Sequence, residues 1–280
     1  MNKKLWFFML IVLAFSSLAL AIEGTVMIFP DLVISTPERY DTQNDFPLPQ
    51  LADRDLVTTW TFKWDFDSYP CDWDQDGIGS WIKVETLSGL EIRSLEIVNG
   101  YAKMWPIRYE QNNAVMSLIV EESSGNKQVV YFDDDCQEFQ DFKLKKPSTW
   151  VKLTIDDVRY GNRYNDTCIG EMAVYDVNGN DLVTKWPYYV FTHRERERLW
   201  EVRDLSLTTH HTAEISGINW AVVSGNAELV AFYGDQGAEV YDVKKAVAKK
   251  RWSGKKVTEA KFDGRKLVAL VDGTEQTESF

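Results

Sequence analysis

Ile155-Asp156-Asp157-Val158-Arg159-Tyr160-Gly161-Asn162-Arg163-Tyr164-Asn165-Asp166-Thr167-Cys168-Ile169-Gly170-Glu171-Met172-Ala173-Val174-Tyr175 is the stretch on which the reading of this chain turns. Val151, Leu153 and Ile155 alternate with polar residues, the period-2 pattern of a half-buried strand. Tyr160-Gly161-Asn162 carries turn chemistry. Ile169 to Tyr175 then resumes as an apolar strand with one acid, Glu171. The pattern is strand, turn, strand, and predicts a hairpin that closes a sheet. A single acid in an apolar strand needs a partner or an exit to water.

The flanking chain repeats this logic. Short apolar runs fall at Ile92–Val98, Ala114–Val120, Gln128–Phe132, Phe139–Leu144 and Val151–Ile155. Between them lie Asn99-Gly100, Asn112-Asn113, Ser123-Ser124-Gly125-Asn126 and Lys146-Pro147-Ser148. Many short strands punctuated by Gly, Pro and Asn predict an all-β sandwich or barrel. No long segment has a helical apolar period. Upstream, Trp60, Phe62, Trp64 and Phe66 share one face of an extended strand. Asp72-Trp73-Asp74-Gln75-Asp76-Gly77 has the front half of an EF-hand loop. The twelfth position, which must be a bidentate acid, is Lys83, so the segment reads as a turn before the strand Trp81–Val84.

Residues 1–21 pair a basic start with a short apolar run and a small-x-small site at Ala19-Leu20-Ala21. That is the pattern of a cleaved secretory signal, with periplasmic or extracellular export as the expectation. No later segment is long and apolar enough to span a bilayer. The signal holds two lysines and no acid, so its removal takes the formal charge from −12 to −14. Such a charge disfavours nucleic acid or anionic membrane surfaces as partners. Cys71 and Cys136 sit in acidic, turn-rich loops where an oxidising compartment permits a bridge, and their pairing stays open at this point. Cys168 reads as a buried small hydrophobe. The expected organisation is a signal over 1–21, a lead-in strand over 22–34, a β-sandwich over 35–176, and a smaller β-rich region over 177–280 that begins at the composition shift Asp176-Val177-Asn178-Gly179-Asn180.

Four stretches carry a family resemblance. They are Asp53-x-Asp55-x-x-Thr58-x-Trp60, Asp76-Gly77-Ile78-Gly79-Ser80-Trp81-Ile82, Ile97-Val98-Asn99-Gly100-Tyr101 with Tyr109-x-x-Asn112-Asn113, and Tyr160-x-x-Arg163-Tyr164-Asn165-Asp166-Thr167-Cys168-Ile169-Gly170-Glu171. In this order they resemble the discoidin-like, galactose-binding-like family, and within it the NADase-type glycan-binding domain. The resemblance implies a jelly-roll sandwich and a glycan- or cell-surface-binding role. Two positions depart from the family pattern: Arg54 stands for the glycine of the early loop, and Gly170 for a serine. The NAD-hydrolysing domain itself has no counterpart here. A fainter resemblance joins Ile218–Val271 to WD40-like propeller blades, through Gly234-Asp235-x-Gly237 and Tyr241-Asp242. The segment is too short to close even a four-bladed ring.

The resemblance also implies two sites. Asp53, Asp55 and Thr58 bring three oxygen-bearing side chains to one loop, and Glu171 stands where related sandwiches complete a Ca²⁺ shell. A hard cation asks for six to eight such oxygens. The bland alternative is a turn held by hydrogen bonds, with Glu171 paired to an arginine. For a glycan, sugar sites set an aromatic platform beside a few polar groups. The candidates are Tyr101, Trp105 and Tyr109 for stacking, with Asn99, Arg108 and Asn113 for hydroxyls. Taken one at a time, each is more readily a core or turn residue. For catalysis, His193, His210 and His211 are the histidines that can work near neutral pH. No G-x-S-x-G, H-E-x-x-H, C-x-x-C or phosphate-cradling loop accompanies them. Asp133-Asp134-Asp135 reads as a solvated loop tip. The expectation is a non-catalytic binding protein. The alternatives are an envelope protein-docking scaffold and a hydrolase with its site in the tail.

Overall fold

A computed structural model describes residues 25–29, 31–36, 48–56, 58–62, 77–87, 89–102, 105–134, 138–183, 189–194, 199–203, 209–213, 218–224, 228–243 and 245–280. The signal pattern over 1–21, the aspartates of 72–76, and Cys71 and Cys136 lie outside the described residues. The chain divides into two compact units. One holds the described residues of 25–194 and 200–212, and the other those of 213–280.

In chain order the first unit has β1 (Thr25–Ile28), β2 (Leu32–Thr36), a 3-10 turn (Leu48–Leu51), β3 (Trp60–Phe62), β4 (Trp81–Thr86), β5 (Ile92–Asn99), α1 (Ile107–Gln111), β6 (Asn113–Glu122), β7 (Lys127–Tyr131), β8 (Gln140–Ser148), β9 (Trp150–Arg159), β10 (Thr167–Asp176), β11 (Tyr189–Arg194), β12 (Leu199–Arg203) and β13 (Thr209–Thr212). β1 and β2 form an antiparallel pair, closed by the Phe29 N–H on the Leu32 carbonyl at 2.8 Å.

The strands are hydrogen-bonded in the order β13-β12-β11-β1-β2-β4-β9-β6-β10-β5-β8, with β3 on β10 and β7 on β6. At the join of β6 and β10 only two parallel pairs form, Thr167 with Asn113 and Cys168 with Ala114. The ladder folds there into two layers. Ile82, Val84, Leu118, Val120, Val151, Leu153 and Ile155 from one layer meet Leu95, Ile97, Phe142, Leu144, Met172 and Val174 from the other in a single buried core. Alternation drives this: β4 and the first half of β9 bury every second residue. Each fully buried Leu, Ile or Phe contributes about 1.5–3 kcal/mol of apolar transfer energy. Trp60, on β3, is among the largest fully buried side chains. The observed class is all-β, a discoidin-like sandwich.

The expected hairpin does not form. β9 pairs with β4 and β6, whereas β10 pairs with β5, β3 and the start of β6. The loop 160–166 therefore passes from one layer to the other. It is tied to the short helix α1, an element without a periodic signature in five residues. Asn162 N–H donates to Glu110 O (2.9 Å), and the N–H groups of Arg163 and Tyr164 donate to Gln111 O (3.3 and 2.8 Å). The Gly161 N–H donates to Asn113 Oδ1 at 2.7 Å. The predicted turn at Lys146-Pro147-Ser148 is instead the end of β8, an edge strand. There Pro147 sits in a register shift and costs no ladder bond. At 176–180 a turn does form, with Asp176 Oδ1 accepting the N–H groups of Asn178 and Asn180 at 2.8 Å each. Beyond it, however, β11 pairs with β1 in register (Thr25 with Thr192, Val26 with Phe191), so this unit runs on to Thr212.

In the second unit a four-stranded antiparallel sheet, β14 (Ile218–Val223), β15 (Leu229–Gly234), β16 (Gly237–Asp242) and β17 (Val247–Arg251), is followed by a three-stranded one, β18 (Val257–Asp263), β19 (Lys266–Val271) and β20 (Thr274–Ser279). Both are meanders. Asp272 and Gly273 have φ of 48° and 79°, the primed turn that a tight hairpin requires. Val222, Leu229, Ala231, Val240, Val257, Leu267 and Val271 belong to the core that the two sheets share.

Gly161 packs so close to α1 that an added Cβ would lie 2.6 Å from the Asn112 carbonyl carbon and overlap the Gln111 carbonyl. Gly161→Ala must push the loop off the helix, at a cost of about 1–3 kcal/mol. The urea midpoint should fall accordingly; an unchanged midpoint would show that the contact is not needed.

Candidate functional site: the loop end of the sandwich and the Arg54–Glu171 clasp

Tyr109 is the pivot of the loop end. Its ring is buried, its hydroxyl donates to Asp134 Oδ1 at 2.8 Å, and the Arg159 guanidinium lies 4.3 Å above its centroid. Arg159 also donates to Tyr109 O at 2.7 Å and pairs with Asp134 at 3.0 Å. Asp134 thus joins a three-residue knot while its side chain stays 48% exposed at the loop tip. Gly100, at φ 73°, leaves room for the Tyr109 ring, which an added Cβ would strike. Trp105 packs on Tyr109 with ring centroids 4.4 Å apart.

The sequence-predicted ligand residues divide into two groups. Asn99 is buried and bridges to β6, donating to Val115 O (2.6 Å) and accepting from Val115 N (2.9 Å). Asn113 is buried and donates to Asn165 Oδ1 at 2.8 Å. These two and Tyr109 hold the scaffold. Tyr101, Trp105 and Arg108 are half-buried at its surface. Sequence reasoning passed over their exposed neighbours: Ile107 is 53% exposed, Tyr160 is 62% exposed, and Tyr164 is half-buried with the Arg163 guanidinium 5.1 Å from its centroid. The backbone bonds between loop 160–164 and α1 bring these two segments side by side. The signal was available in Tyr160-x-x-Arg163-Tyr164, a cluster of aromatics and cation within a polar loop.

The second set, Asp53, Asp55, Thr58 and Glu171, is brought together around Arg54. A one-residue register shift at Gly170 changes the phase of β10, so Ile169 and Met172 both join the core and Glu171 turns the other way. Arg54 takes φ 61°, the left-handed conformation that favours the glycine it replaces. Its N–H donates to Glu171 Oε2 at 2.6 Å, while Met172 N–H donates to Oε1 at 3.0 Å. Its guanidinium stands 4.0 Å from Oε1 and reaches Met172 O (3.4 Å), Val183 O (3.2 Å) and the Asp181 carboxylate. Asp53 accepts the Asp55 N–H (2.9 Å) and lies within 2.8–2.9 Å of the Thr58 hydroxyl. The Asp55 side chain is exposed. Among the described residues no group of three or more His, Cys, Asp or Glu side chains is disposed to hold a metal ion. As arranged, Glu171 accepts from two backbone N–H groups beside the Arg54 guanidinium, and Asp53 is held by the Asp55 N–H and the Thr58 hydroxyl.

Burial pushes the Glu171 carboxyl up to about 7, against the pull of the Met172 N–H and of Arg54; the nearby Asp53 charge adds to the rise. Burial likewise raises Asp53, opposed by the Asp55 N–H and the Thr58 hydroxyl. Cys168 is free and fully buried, and its thiol is raised by burial first and the Asp166 charge second. His193 lies on β11, and His210 and His211 on β13; their side chains fall outside the described residues.

Two folded layers, a knot around the buried Tyr109 ring and a clasp on β10 define a discoidin-like module. The chain belongs to the NAD glycohydrolase translocation F5/8 type C domain family, whose model matches residues 35–175. No curated protein matches it. Among solved structures it is similar to the arabinofuranosyltransferase AftD from Mycobacteria, at 19% identity over 54% of this chain and a TM-score of 0.40; the chain spans only 11% of that protein's length. It is also similar to the family 32 carbohydrate-binding module of C. perfringens NanJ, in complex with galactose, at 16% identity over 54% of this chain and 98% of that one, TM-score 0.35. A third is CpGH89CBM32-5 from Clostridium perfringens, in complex with GalNAc-β-1,3-galactose, at 16% identity over 51% and 94% of the two chains, TM-score 0.36.

Two measurements test the clasp. An unfolded glutamate releases its proton near 4.5, whereas folded Glu171 holds it to about 7. Stability from this group is complete below 4.5 and is lost as pH rises through 7, by about 3 kcal/mol. Glu171→Gln should remove that part of the slope in melts between pH 4.5 and 8; an unaltered slope would assign it elsewhere. With Arg54 supplying the positive charge, excess EDTA should leave the melting temperature unchanged. A fall of several degrees, reversed by Ca²⁺, would put the cation in the loop.

Proposed function

We propose that the sandwich is an exported, non-catalytic module that binds a glycan at its loop end, on Tyr101, Trp105, Ile107, Tyr160, Arg163 and Tyr164. The observation that carries this reading is the contrast at that end. Tyr109, Arg159 and Asp134 are locked together, while aromatic and cationic side chains stand out around them. Sugar sites need such a platform: rigid, aromatic, with few polar groups. Aromatic rings cover the apolar face of a pyranose, and Arg163 and Arg108 reach hydroxyls. Family membership supports a binding role without naming a ligand. Export rests on the pattern of residues 1–21. No helix among the described residues is long and apolar enough to cross a membrane.

A second reading, a protein-docking scaffold, draws on β7. Among the described strands it is bonded only to β6, and Val129 and Tyr131 on it are 44% and 77% exposed. Exposed apolar edges of that kind also attract partner strands.

A glycan array on the chain without residues 1–21 separates these readings. Trp105→Ala and Tyr160→Ala should each lower affinity for the retained glycan about tenfold, with the melting temperature nearly unchanged. Tyr109→Ala, by contrast, should lose the fold by about 3–5 kcal/mol. Array binding that survives both rim changes would overturn the placement, and an empty array with a captured protein partner would favour the scaffold.

A further inference from the structure

The second unit carries a local charge opposite to that of the whole chain. The chain's formal charge is −12, yet residues 244–256 hold seven Lys and Arg and no acid. The structure sets six of these along one edge. β17 is the last strand of its sheet and, among the described strands, is hydrogen-bonded to β16 alone. The turns at 245–246 and 252–256 extend the same edge. Lys245, Lys249, Lys250, Lys255 and Lys256 are exposed, and Arg251 is half-buried. Acidic partners among the described residues include Asp242 for Lys245 (2.9 Å), Glu278 for Arg251 (3.5 Å) and Asp235 for Lys256 (3.2 Å). Lys249 and Lys255 have no ion-pair partner among the described residues.

Lysines on an edge strand guard against pairing with another chain. That accounts for β17 but not for the turn at its C-terminal end. Trp252, between Arg251 and Lys255, is held at φ 49°, a left-handed conformation that a bulky residue adopts at a cost. It is half-buried against the core of its unit. At the other end of the strand Ala246 is left-handed too, at φ 53°. Strain of this kind collects where a surface is built to present something. An aromatic ring on a lysine-rich edge suits one chemistry above others: a sugar ring that bears a carboxylate. The strand alone is roughly 16 Å long at about 3.3 Å per residue, which suits a chain ligand rather than a single sugar. At physiological ionic strength charges beyond about 8 Å are screened, so acids elsewhere on the chain do not cancel the strip.

We propose that the edge from Lys245 to Lys256 binds a linear acidic polysaccharide, with Lys249 and Lys255 taking carboxylates and Trp252 stacking on a sugar. This does not rest on the glycan reading of the sandwich. Polygalacturonate is the probe, its fully methyl-esterified form the neutral control, and polyglutamate the control for charge alone. Calorimetric titration of the chain without residues 1–21 should show binding to polygalacturonate that weakens as salt rises, with none to the neutral form. Lys249→Gln with Lys255→Gln should weaken it at least tenfold, while Trp105→Ala leaves it unchanged. Equal binding of polyglutamate would overturn the sugar-specific part of the proposal. No binding by the unaltered chain, or the same affinity in the double variant, would overturn the site. A double variant that only self-associates would assign the lysines to edge protection.

Discussion

The guanidinium of Arg159 lying over the buried ring of Tyr109 is the contact on which the loop end depends. Arg159 ends one layer, Tyr109 sits on the helix before β6, and Asp134 comes from the loop after β7. Three segments far apart in sequence are pinned by one planar cation, an aromatic face and a carboxylate. A charge so placed is matched twice, by the ring and by the acid, which is the condition for holding it out of water. With that knot in place, loop 160–166 can pass between layers with its backbone bonded to α1. The rim residues then stand on a rigid base, and their order in space follows from the knot rather than from their order in sequence.

The clasp does comparable work on the other side of β10. The register shift at Gly170 lets one strand serve both sides, with Ile169, Met172 and Val174 in the core and Glu171 toward the early loop. Without the extra residue Glu171 and Met172 would exchange faces. Arg54 then links the loop, the strand and the segment at Asp181–Val183. A glycine would meet the same backbone requirement more easily but would bring no charge to a buried glutamate. The balance of burial against these partners is why Glu171 keeps its proton to about 7.

Much of this was legible in the chain. Alternation located β9, and short apolar runs between turn residues located β4, β5, β6, β7 and β10. Ser123-Ser124-Gly125-Asn126 marked the turn between β6 and β7 for an equally local reason. The motifs around Asp53–Trp60 and Tyr160–Glu171 pointed to the family. Which motif residues face a ligand was not legible. Asn99, Tyr109 and Asn113 have the right chemistry for sugar contacts, but their polar atoms are spent on Val115, Asp134 and Asn165. Arg159 and Asp134 carried no visible signal, because a charged residue beside a turn looks the same whether it is solvated or knotted.

By itself, then, the sequence determined the all-β class, most strand positions and the family, because periodicity, turn chemistry and motif spacing are properties of neighbouring residues. Tertiary structure alone decided that β9 and β10 lie in different layers, that β11 returns to β1, and that Arg54 rather than Asp55 faces Glu171. Those outcomes depend on which distant segments meet. A strand's pattern states that one of its faces is buried and is silent about the partner that buries it.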